Sequence, residues 1–238
     1  MELRSFGSWR PAILSFNGGY VDTAGFLALQ GLFTAHVTGN FVTFGASIVF
    51  GTSGAVTKLL ALPVFCIVVV SARLVDHGLG ARNLPRLRTL LAVEFMLLVV
   101  GAVLAIKLGP FPDADAWPAL VTGMVLVSAM AIQNALHRIH LSSAPPSTLM
   151  TGTTTQIMLD VADRIRGLPA ETADATRARM RRMATAVAAF ALGCAAAALL
   201  LALIGDWCFV VPAALALAGL IIADREQLAQ SAPSRVRM

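Results

Sequence analysis

Ser15-Phe16-Asn17-Gly18-Gly19-Tyr20-Val21-Asp22, followed by His36-Val37-Thr38-Gly39-Asn40, sets asparagines, an aspartate, a histidine and several glycines inside otherwise apolar sequence. An Asp or His at membrane depth is expensive and marks function or a specific partner. A weaker version recurs past mid-chain as Gln133-Asn134 and then Thr151-Gly152-Thr153. The fold therefore turns on whether the surrounding sequence is a membrane sequence.

Composition says that it is. The 238 residues are 57% hydrophobic and only 13% charged, with a mean hydropathy of +0.77. A water-soluble domain carries about one quarter charged residues, and several runs here approach the roughly 20 apolar residues of a spanning helix. We expect an all-α, polytopic membrane domain covering the whole chain. The first run, starting near Pro11, has no compact apolar core followed by a small-residue cleavage site, so it reads as a retained helix. The net charge of +5 does not point to nucleic acid, because the arginines sit in loops between apolar runs. Cys66, Cys194 and Cys208 form no CxxC pair and read as buried free thiols. No cofactor or metal is expected. His137 and His140 are half a metal site without an acidic or Cys partner.

Apolar runs are expected at 11–33, 59–75, 88–107, 117–137, 183–204 and 207–223, with shorter ones at 36–50 and 147–160 and a polar tail at 224–238. Loops rich in Lys and Arg belong in the cytoplasm. That rule puts 73–88, 138–146 and 161–182 inside, and the acidic turns 107–117 and 205–206 outside. The short segments then begin and end on one side each, so they re-enter, lie flat or form part of a broken helix. This gives six crossings with both termini, Arg4 included, in the cytoplasm. The halves, roughly 11–107 and 117–223, become inverted repeats, the usual build of secondary transporters. If both short segments cross, the chain has eight spans and exports an arginine-rich loop.

The candidate binding residues follow from this frame. On a helix Gly18, Asp22 and Gly25 share one stripe, where glycine admits another backbone and Asp22 can bind a proton or cation. Asn17 joins them. His36, Thr38, Gly39 and Asn40 head the first short segment; Thr38 is a fair N-cap, and the free amides there form an anion site. Thr151, Gly152 and Gln156 head the second, as a hydroxyl-rich start to a polar path. Glu94 either snorkels to pair with a cytoplasmic arginine or is a second intramembrane carboxylate. Gln133 and Asn134 either glue helices together or line the site. No phosphate loop, zinc-protease pair or nucleophile elbow is present, so no enzyme is expected.

The quoted stretch, with Gly25-Phe26 and Gly31-Leu32-Phe33, resembles the N-terminal signature of the YoaK-like family of bacterial inner-membrane proteins, a domain of unknown function. Ala131-Ile132-Gln133-Asn134-Ala135 and Met150-Thr151-Gly152 look like its second signature, with Ala131-Ile132 where a glycine is expected and Thr153 in place of an asparagine. The resemblance implies a multi-pass inner-membrane protein and supplies no substrate. From the residues we expect a secondary transporter or permease for a small solute, with a proton as the candidate coupling ion. The alternative is a non-transporting scaffold, sensor partner or lipid-binding protein. Membrane lipid is the expected partner, and small residues at Ala195–Ala198 would suit packing within the chain or between copies.

Overall fold

The structure is a computed structural model. It describes residues 10–167 and 170–231, except for the side chains of 170–172 and 223–231. Arg4 and the end of the polar tail lie outside the described residues. Among the described residues the chain is helical, without strands: α1 Arg10–Ala28, α2 Asn40–Phe50, α3 Ala55–Ala81, α4 Arg86–Leu108, α5 Trp117–His140, α6 Met150–Arg166, α7 Ala170–Ile204 and α8 Val210–Ser231. Short 3-10 turns at Val37–Gly39 and Gly205–Phe209 lead into α2 and α8.

Four helical stretches among the described residues are long and apolar enough to cross a membrane: Ala55–Ala81, Arg86–Leu108, Trp117–His140 and Ala173–Ile222. The last runs from α7 into α8. Gly205, at φ +57, opens the turn that folds it back: Leu201 and Asp206 lie beside Ala28, while Leu215 and Gly219 lie beside Arg10. Large side chains such as Ile67, Leu74 and Leu203 stand exposed along the outside. Apolar faces of that extent suit lipid.

Helix ends correct several expected boundaries. α1 stops at Ala28, not at residue 33, because Gln30 and Gly31 take positive φ and reverse the chain. α7 starts well before residue 183: the arginines 177–182 are its first turns rather than a loop. α3 begins where Asp115, from the α4–α5 turn, accepts the Gly54 and Thr57 amides, each at 2.9 Å. This is a helix N-terminus closed by a carboxylate from elsewhere in the chain.

Small residues set the packing. α1 packs most extensively on α7. A Cβ on Gly19 would collide with the Phe190 carbonyl, and one on Gly193 with the Phe16 carbonyl, so the two backbones touch. α5 packs against α4 and α3, α4 against α8, α6 against α7, and α2 against α3. Of the small-residue run, Ala197 packs in the core, while Ala195 and Ala198 face outward. Cys208 is buried and Cys194 partly so, but Cys66 is exposed on the apolar flank of α3, against expectation.

Candidate functional site

α1 receives an irregular segment from each end of the bundle. From the Ala28 end, residues 29–36 fold back along it. From the Arg10 end, residues 141–149 do the same before α6 begins. Non-helical backbone at membrane depth survives only where protein or water covers it, and here the cover is α1.

The first segment docks on Asp22. One carboxylate oxygen accepts the backbone amides of Thr34 at 2.9 Å, Ala35 at 2.7 Å and His36 at 3.3 Å. The other meets His36 Nδ1 at 2.7 Å. Gly25 lies against the Thr34 methyl, where a Cβ would sit 2.7 Å away. Asn40 clamps the same segment from the other side: Oδ1 accepts the Phe33 amide at 2.9 Å and Nδ2 donates to the Phe33 carbonyl at 2.8 Å. His36 also stands edge-on to Phe190 of α7.

The second segment docks four residues lower, at Gly18. A Cβ there would meet the Ser147 carbonyl, the Thr148 methyl and the Gln133 amide within 3.0–3.2 Å. Gln133 Nε2 donates to Ser147 Oγ at 3.1 Å and to the Leu14 carbonyl at 3.0 Å. Thr148 donates to Asn134 Oδ1 at 2.7 Å. Four residues of helix rise about 6 Å. The two segments thus arrive from opposite ends and stop about one turn apart on the same face of α1.

Asn17 and Glu94 complete the junction. Asn17 Nδ2 donates to Gln133 Oε1 at 3.3 Å and, at the outer limit, to Glu94 Oε1 at 3.5 Å. All three side chains are essentially inaccessible. Asn17 Oδ1 and Glu94 Oε2 have no hydrogen-bond partner, although such buried oxygens are normally satisfied. Asn17 and Glu94 line a crevice of about 10 Å³ between α1, α4 and α8, with Arg10 at its end. That is room for about one water.

Asn17, Gly18, Asp22, His36, Asn40, Glu94, Gln133 and Asn134 are therefore brought to one region. Glu94 does not snorkel; it is buried and makes no ion pair with an arginine among the described residues. Three expectations fail. Thr38 is exposed and caps nothing, and the cap positions on either side of it, His36 and Gly39, make no side-chain cap bond either. The amides ahead of it are already taken by Asp22, so no open anion site exists there. Thr151, Gly152 and Gln156 lie on an exposed face of α6; Gln156 bonds Asp160, which accepts two bonds from Arg179 of α7. The polar contacts of this segment are made just ahead of α6, at Ser147 and Thr148. Gly39 packs under the Phe33 ring and bounds the site without entering it.

Ser147, Thr148 and Thr34 are the residues missed. For Ser147 and Thr148 the signal is spacing. Asp22 and His36 are 14 positions apart, as are Asn134 and Thr148 and Gln133 and Ser147. Of the two histidines three apart, His137 bonds the Ala144 carbonyl and His140 bonds Asp76.

Residues 11–222 match the model of a family described as "Protein of unknown function (DUF1275)". The chain belongs to this family. It is 30% identical over 158 residues to the UPF0700 transmembrane protein YoaK of Bacillus subtilis, covering 65% of this chain and 67% of that one. No solved structure matches. The matched family residues run from α1 into α8, so the junction on α1, α4 and α5 lies wholly within the family region.

Proposed function

We propose that this membrane protein is a secondary transporter for a small solute, held closed in this structure by the two segments docked on α1. The carrying observation is the meeting of those segments one turn apart around buried, incompletely bonded Asn17 and Glu94. A static scaffold gains little from a buried carboxyl that no arginine among the described residues answers, since burying a charge without a partner is costly. A carrier needs groups that exchange protein partners for solute or proton during its cycle. In this reading Glu94 carries the coupling proton, Asn17 and Gln133 contact the solute, and Asp22 with His36 latches one gate while Gln133 and Asn134 latch the other.

The orientation follows from charge. Arg82, Arg86, Arg88, Arg138, Arg164 and Arg166 gather at the Arg10 end, while Asp113, Asp115 and Asp206 mark the opposite end. With Arg-rich loops in the cytoplasm, α1, α3, α4, α5, α7 and α8 cross the bacterial inner membrane. α2 re-enters from outside, and the segment before α6 from inside. The helix pairings support an inverted repeat: α1 on α7 matches α5 on α3, and α2 on α3 matches α6 on α7. We read the protein as a carrier and not an enzyme.

Thiol accessibility tests this without knowledge of the solute. In a background lacking Cys66, Cys194 and Cys208, Ala35→Cys and Ser147→Cys place thiols on the two docked segments, both buried here. A transporter predicts labelling of Cys at 35 by a membrane-impermeant maleimide from outside and of Cys at 147 from inside. If neither thiol reacts from either side, the gates never open and a non-transporting scaffold or lipid-binding role replaces this reading.

A further inference from the structure

A groove of about 350 Å³ runs between α3 and α5 near the Arg10 end of the bundle. Phe65 and Val69 form one wall, and Ala135 and Ile139 the other. Arg73 and Arg138, one from each helix, complete the lining together with Asn134 and Leu149. We propose that this groove binds one anionic phospholipid, with an acyl chain along the apolar walls and the phosphate between Arg73 and Arg138.

Dimensions fit this occupant. Phe65 and Arg73 are eight residues apart on α3, about 12 Å along the axis. One leaflet of hydrocarbon is about 15 Å deep. The apolar slot therefore spans most of a leaflet, with guanidinium groups where headgroups lie. Water gains little in such a slot, and a lipid chain is the apolar group that the surroundings supply.

Charge selects the headgroup. At this end one buried carboxylate, Asp76, serves Arg73 at 3.3 Å, Arg86 at 3.8 Å and His140 at 2.8 Å. Arg138 makes no ion pair among the described residues, and half of Arg73 is exposed. The local balance is positive. Basic pockets between helices on the cytoplasmic side recognise anionic headgroups, and a guanidinium pairs with phosphate through parallel hydrogen bonds. A zwitterionic headgroup would bring its own cation beside the two arginines.

The groove also touches the gate. Asn134 Oδ1 accepts the Thr148 hydroxyl, and its Nδ2 is tied to the Met130 carbonyl at 2.9 Å. Leu149, the last residue of the docked segment 141–149, lines the groove beside Asn134, so a bound acyl chain lies against that segment. Binding itself needs only the membrane setting and not the transport reading.

The test is native mass spectrometry of the full-length chain in mild detergent, with phosphatidylglycerol or phosphatidylcholine of identical chains added. One surface arginine is worth about fivefold in anionic-lipid affinity. Wild type is expected to retain phosphatidylglycerol preferentially, and Arg138→Gln to lose about fivefold of that retention. Lys107→Gln, the same charge removed at the other end, should match wild type. Ala135→Phe, which fills the groove, should lose both lipids. Equal retention of the two lipids by wild type would overturn the proposal. So would an Arg138→Gln variant indistinguishable from Lys107→Gln, or undiminished retention by Ala135→Phe.

Discussion

Replacing Asp22 with alanine should release the segment 29–36 from α1. Two well-formed acceptor bonds disappear, from the Thr34 and Ala35 amides, together with a longer one from His36 and the contact to its ring. Thr34 is fully buried and Ala35 nearly so, so water does not replace the carboxylate while the segment stays docked. An orphaned buried donor costs about 1–3 kcal/mol; the two short bonds alone give about 2–6 kcal/mol. At about 4 kcal/mol, the open form gains roughly a thousandfold, since about 1.4 kcal/mol is tenfold. Hydrogen exchange in nanodiscs reads this directly: amides 34–36 should lose about three decades of protection while the α4–α5 interface keeps its own. Asp22→Asn retains one acceptor oxygen without charge. Charge-assisted bonds are roughly twice as strong as neutral ones, so it should lose about half as much in free energy. Protection falling by less than tenfold in Asp22→Ala would refute the claim that this carboxylate holds the segment.

Other expectations follow from the same geometry. Gly193→Ala drives a methyl into the Phe16 carbonyl and should cost about 1–3 kcal/mol by overpacking, read as a lower Tm; an unchanged Tm would mean that α1 and α7 are not in backbone contact. Tyr20→Phe removes a 2.9 Å bond to the Cys208 carbonyl and should cost about 1 kcal/mol, measured by denaturant unfolding in micelles. The Arg179 guanidinium beside Asp160, with smaller help from Gln156, holds the Asp160 carboxyl below the usual carboxylate range against its burial. Its folded value is depressed, so the stabilisation is complete above about pH 3.9 and is lost as pH falls through the lower folded value. Exchange protection across Met150–Arg166 should therefore hold at pH 6 and collapse on acidification below about pH 4, and Asp160→Asn should show the weakened state already at pH 6.

Much of this was legible in the residues. Apolar runs of spanning length and arginine-rich loops gave the helical membrane class, and polar side chains stranded in those runs marked Asn17, Asp22, Glu94 and Gln133. What stayed hidden were the contacts made by backbone. Asp22 is answered by peptide amides, which any residue carries, so Thr34 and Ala35 have no signature. Ser147 and Thr148 follow Pro145-Pro146 and look like ordinary loop, because nothing local says that the loop folds back on Gly18. The hydroxyl-rich Thr151–Gln156 run misled for the opposite reason: its chemistry suits a polar path, but α6 meets α7 through Asp160 and leaves Thr151, Gly152 and Gln156 exposed. The end of α1 was missed because Leu29, Leu32 and Phe33 continue its hydrophobicity, while the reversal depends on Gln30 and Gly31 alone.

In the transport reading the Glu94 carboxyl controls opening of the junction on α1. The direct measurement is the maleimide labelling rate of Ser147→Cys, compared at one pH between the chain that keeps Glu94 and a Glu94→Gln chain. A coupling carboxyl predicts a rate that changes severalfold when a neutral amide replaces it. Equal rates in the two chains would contradict that role.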